Sequence, residues 1–79
     1  MQKLRQDRNM GANLQKLRKA AGLTQEQVTA QLQVRKCEIS RSVYSRYETG
    51  ELNICISHLI ALKSIFHCEY EDFFSALEL

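Results

Sequence analysis

The sequence predicts an all-α domain, and three observations carry that prediction. Apolar residues recur at spacings of three and four, the period of a buried helix face. Alternating strand patterns bounded by turn dipeptides are missing. Proline is absent and only three glycines occur in 79 residues, so the helical runs are rarely interrupted. A chain of this length makes one domain with a thin core, burying roughly 60–65% of its unfolded surface. The expected organisation is a basic arm or helix extension over residues 1–9 and a helical domain over residues 10–79.

The first helix is expected over Met10–Ala21. Met10, Leu14, Leu17 and Ala21 fall on one stripe, Gly22 is a suitable stop, and Leu23 follows as an apolar plug. Thr24 opens the second helix. Thr24-Gln25-Glu26-Gln27 has the capping-box pattern, in which the hydroxyl reaches the third amide and Gln27 reaches back. Val28 and Leu32 give its inner face, with Thr29 on the edge. The free N–H groups at Gln25 favour an anion such as phosphate. This helix is expected to reach about Arg35. The stretch Gln33–Ile39 contains no glycine, so a tight turn is not signalled, and a wider one is expected to end at Ile39.

The third helix lies within Ser40–Gly50. Ser40 can cap the first turn, and Gly50 can take the left-handed conformation that ends a helix. At about 100° per residue, Val43, Tyr44 and Tyr47 form the apolar side. The opposite side carries Ser42, Ser45 and Thr49, flanked by Arg41 and Arg46. Arginine forks match the acceptor pair on a guanine edge, and small neighbours let a helix sit close to a groove. The same pattern also fits an ordinary solvated amphipathic helix. A loop over Glu51–Cys55 leads to a fourth helix over Ile56–Phe66. Its cap is either Cys55 or Ser57, and Ile56, Leu59, Ile60, Leu62, Ile65 and Phe66 supply a broad apolar face. His67–Glu69 is a break. Tyr70–Leu77 is a short fifth helix carrying Phe73, Phe74 and Leu77, which either complete the core or lie in part in a dimer interface.

The net charge is +2 but graded along the chain. Residues 1–22 carry six bases against one acid, residues 23–50 four against three, and residues 51–79 one against five, giving +5, +1 and −4. Such a gradient is compatible with one end facing a polyanion. No apolar run approaches the roughly 20 residues of a membrane span. No apolar signal core follows the N-terminal charges, so a cytoplasmic location is expected. Three cysteines, an odd number, read as reduced thiols. Cys37, Cys55, Cys68, His58 and His67 fit no common zinc spacing. Cys37 would be a redox sensor only if its thiol were exposed beside Lys36 and Arg35. No glycine-rich phosphate loop, paired-carboxylate site or Cys/His cleft is apparent. Neither enzymatic activity nor a cofactor or metal is expected.

The run Leu17-Arg18-Lys19-Ala20-Ala21-Gly22-Leu23-Thr24-Gln25-Glu26-Gln27-Val28 resembles the opening of the phage repressor/Cro-like helix-turn-helix family. Ser40–Gly50 is similar to that family's recognition helix, and Asn53 through Phe74 fits its last two helices. The resemblance covers about Met10 to Leu77. It implies a five-helix lambda-repressor-like helix-turn-helix domain with its third helix in the major groove, binding inverted-repeat DNA as a homodimer. Carried across by position, Arg41, Ser42 and Arg46 would face bases and Ser45 a base or the backbone. Gln25 would contact a phosphate, and Ser40 the backbone at the groove edge. Arg18 and Glu48 occupy positions that often form an internal ion pair. One departure is the connection after the second helix, where Arg35–Ile39 adds about five residues to a usually short turn. Arg35 and Lys36 become either further phosphate contacts or part of a solvated turn. The function implied is a bacterial or phage transcriptional repressor. The alternative is an antitoxin or protein-interaction adaptor on the same fold, whose main contact is a protein partner.

Overall fold

The computed structural model describes residues 2–74, with side chains from Met10 onward. Five helices follow one another: α1 (Gln2–Ala20), α2 (Gln25–Val34), α3 (Arg41–Thr49), α4 (Ile56–Phe66) and α5 (Tyr70–Phe73). There is no strand among the described residues. The five-helix, all-α expectation holds.

The helix boundaries follow from local chemistry. The Thr24 capping box is formed: the Gln27 N–H donates to Thr24 Oγ1 at 3.1 Å, and the Thr24 N–H to Gln27 Oε1 at 2.8 Å. Ser40 caps α3 by accepting from the Val43 N–H at 3.1 Å. Cys55 stands at the cap of α4 without a side-chain hydrogen bond. At the C-terminal ends, Gly22 and Gly50 take left-handed φ values of 74° and 84°. The Leu23 and Glu51 amides then bond back to the Arg18 and Arg46 carbonyls, closing each helix.

Two ends close the same way without glycine. Lys36 has φ 65° and His67 has φ 55°. The Cys37 N–H reaches the Leu32 carbonyl at 2.8 Å, and the Cys68 N–H reaches Lys63 at 3.3 Å. Contrary to the sequence expectation, α2 therefore ends in a tight closure, and the long connection is the extended chain after Lys36. Cys37 and Ile39 pack this connection against the core.

The core is Leu14, Val28, Leu32, Tyr44, Tyr47, Ala61, Leu62, Ile65, Phe66 and Phe73. Each fully buried large side chain contributes roughly 1.5–3 kcal/mol. α1 packs on α3 and α5, and α2 on α3 and α4. The Asn13 amide donates to the Phe73 carbonyl at 2.9 Å, fastening α5 to α1. Gly11 lies where α1 crosses the end of α3: a Cβ there would stand 2.4 Å from the Glu48 carbonyl oxygen.

Several expected core positions are corrected. Ile56 and Ile60 are 75% and 52% exposed. At 100° per residue Ile60 lies about 160° from Leu62, so the two cannot share a buried face. Ala21 is exposed because α1 ends before it. α5 is shorter than expected; Phe73 completes the core, as one of the two expectations had it, and Phe74 is exposed. Leu77 lies outside the described residues. Among those residues no helix is long and apolar enough to cross a membrane.

Candidate nucleic-acid interface

The capped α3 turns Tyr44 and Tyr47 into the core and its polar side outward. Arg41, Ser42 and Arg46 are exposed and Ser45 is half-buried. These four, with Glu51, line one shallow groove. The structure thus gathers all four residues expected to face bases. Arg46 Nε lies 3.9 Å from Glu51 Oε1, both side chains in solvent.

The four residues expected to face phosphates are placed differently. Ser40 is exposed at the start of α3, with its hydroxyl engaged in capping. Gln25 is half-buried at the start of α2 and donates from Nε2 to Glu48 Oε1 at 3.0 Å. Lys36 is exposed at its left-handed turn. Arg35 folds back along α2, its Nη1 donating to Gln31 Oε1 at 2.8 Å. It lines a separate concavity with residues from the ends of α1 and α4, not the α3 groove.

Behind the groove, a buried network fixes α3. Arg18 Nε donates to Glu48 Oε2 at 2.7 Å, Nη2 to Oε1 at 3.3 Å, and Nη1 to the Leu23 carbonyl at 2.9 Å. The ion pair implied by the resemblance is present, and Gln25 joins it. The hydrogen bond to Glu48 holds the Arg18 guanidinium pKa above its ordinary value, against the opposing effect of burial. The Tyr44 hydroxyl is fully buried with no hydrogen bond. Burial, then the neighbouring Glu48 carboxylate, push its pKa far above the ordinary tyrosine value. On the other side of α3, the Tyr47 hydroxyl and His58 Nδ1 lie 2.9 Å apart, tying α3 to α4.

The arrangement is a rigidly seated helix that presents two arginine forks and two hydroxyls. A family model described as a helix-turn-helix domain matches residues 9–62, which include α2, α3 and the connection between them. The chain belongs to the helix-turn-helix domain family. No curated protein and no solved structure matches it. As a helix-turn-helix domain it is a DNA-binding module, a role for which an outward polar helix backed by core tyrosines is suited.

Two residues of this helix-turn-helix domain escaped the sequence reading. Glu51 reaches the groove because left-handed Gly50 reverses the chain and the Glu51 N–H bonds the Arg46 carbonyl at 3.0 Å. The glycine stop was a usable signal, since it returns the next residue to the last turn of the helix. Gly11 sits inside a helix, where glycine costs about 1 kcal/mol relative to alanine and so needs a packing reason.

Proposed function

We propose that this chain is a lambda-repressor-like transcriptional repressor that binds inverted-repeat double-stranded DNA as a homodimer in the cytoplasm. The observation that carries the reading is the groove lined by Arg41, Ser42, Ser45 and Arg46 on the outward face of a capped helix. Arg41 and Arg46 read base edges, each good bidentate pair giving roughly 1–3 kcal/mol of discrimination. Ser42 and Ser45 keep the approach close and offer short hydrogen bonds. Ser40 and the first-turn amide of Gln25, a donor without an intrahelical partner, take phosphates. Lys36 and Arg35 add charge to the backbone contacts, Arg35 after release from Gln31. The chain acts by occupancy rather than catalysis.

Dimer formation is supported by Ile56 and Ile60, exposed one turn apart on α4. The same two residues support the second reading, an antitoxin or adaptor that covers them with a protein partner. Sedimentation at tens of micromolar separates the two: a dimer that Ile60→Glu dissociates favours the repressor, and a monomer favours the adaptor.

The deciding experiment is selection from a pool of random duplexes across salt concentrations, comparing the wild type with the Arg41→Ala/Arg46→Ala variant. The expected result is one enriched inverted repeat, lost in the variant. Binding with no enriched sequence and a steep fall with salt would leave only phosphate attraction, and base reading by α3 would be abandoned.

A further inference from the structure

The α3 groove contains one group that works against attraction to DNA: the Glu51 carboxylate. A negative charge on a surface that meets a polyanion weakens binding unless a local partner offsets it. Here the partner is Arg46, whose Nε lies 3.9 Å from Glu51 Oε1. The backbone determines this proximity, because the Glu51 amide is bonded to the Arg46 carbonyl at 3.0 Å. An approach to Nε leaves the two Nη groups of the guanidinium free as a donor edge.

We propose that Glu51 is a specificity-determining residue of this interface, steering Arg46 toward a base-edge acceptor pair and penalising DNA that lacks one. The inference rests on the reading that the groove faces DNA. At a matching site Arg46 lies between Glu51 and the base, so the carboxylate stays neutralised while the Nη edge makes its bidentate contact. At other sites Arg46 turns to a phosphate, and Glu51 is left unpaired in the negative field of the duplex. The carboxylate thus lowers non-specific affinity more than specific affinity, which is discrimination by repulsion.

The test is fluorescence anisotropy with the full chain on two duplexes, the most enriched sequence from the random pool and a scrambled version. Glu51→Gln keeps the size and removes the charge, and an exposed side chain at this position leaves the fold intact in a circular dichroism melt. The expected result is about a threefold gain for the scrambled duplex, the scale of an exposed ion pair, with no gain for the enriched one. On the Arg46→Ala background the same substitution no longer changes the ratio of the two affinities. An equal gain on both duplexes would make Glu51 a general repulsive charge and overturn the proposal, as would no change on either. If Arg41→Ala and Arg46→Ala leave both affinities untouched, the groove does not face DNA. That result overturns the underlying reading and is distinct from the first two.

Discussion

The Arg18–Glu48 pair is 2.7 Å long with side chains 11% and 3% exposed, whereas Arg46–Glu51 is 3.9 Å long with side chains 56% and 68% exposed. The chemistry is the same, and both acids lie at the C-terminal end of α3. In the first pair, water is displaced and the remaining valences are filled, by the Leu23 carbonyl on Arg18 and by Gln25 on Glu48. In the second, solvent screens the charges and each side chain can exchange its partner. Coulomb attraction at a given distance is about fourfold weaker in bulk water than at the effective dielectric near a protein surface. Burial, not residue type, separates the arginine that seats the helix from the solvent-exposed arginine proposed to read DNA.

The largest expected effect comes from breaking the buried pair. Glu48→Ala strands the Arg18 guanidinium and releases Gln25, and should cost roughly 3 kcal/mol, the low end for a buried pair because Arg18 keeps some solvent. Urea unfolding followed by circular dichroism measures it. A loss below about 1 kcal/mol would place this pair with the exposed one. Next is Gly11→Ala, which drives a Cβ against the Glu48 carbonyl beside the same pair. The gain in helix propensity offsets about 1 kcal/mol, and the backbone cannot yield, so a net loss of roughly 2 kcal/mol is expected. Thermal melts in parallel with Ala12→Gly separate the clash from propensity.

Tyr44→Phe tests the same network more gently. Its hydroxyl is buried without a hydrogen bond, so removal should stabilise the fold by up to about 1 kcal/mol at neutral pH. The raised pKa also gives a sign. Tyr44 stays neutral in the fold while the unfolded chain ionises above about pH 10, so its contribution is full below that pH and falls as pH rises. The variant should therefore lose stability less steeply between about pH 10 and 12. A steeper loss would mean that the fold favours the ionised Tyr44 and would contradict the raised pKa. The smallest effect belongs to the exposed pair. Arg46→Ala should change stability by less than about 0.5 kcal/mol and specific DNA affinity by about 1–3 kcal/mol. A melt showing a stability loss above about 1 kcal/mol would make Arg46 structural.

Much of this was readable along the chain because it is local. Thr24 with Gln27, Ser40 with Val43, and Gly50 act within one turn of a helix, and their bonds form as the spacing implies. The inner residues of α3 were readable for the same reason, since steps of about 100° per residue turn Tyr44 and Tyr47 away from Ser42 and Arg46. The misreadings occur where another element decides. Apolar composition marked Ile56 and Ile60 for burial; the helical period already sets Ile60 opposite Leu62, and packing decided that the Leu62 side meets the core. The end of α2 was unreadable because Lys36 takes a conformation that glycine usually signals. Tertiary packing of Cys37 and Ile39 outweighs that local preference.

Residue order alone was enough for the caps at Thr24 and Ser40, the stops at Gly22 and Gly50, and the inner and outer faces of α3, because each depends on neighbours within a few residues. The tertiary structure decided which arginine is buried and which glycine is a contact. Those outcomes depend on how closely separate segments approach and how much water is left between them, and residue order alone fixes neither.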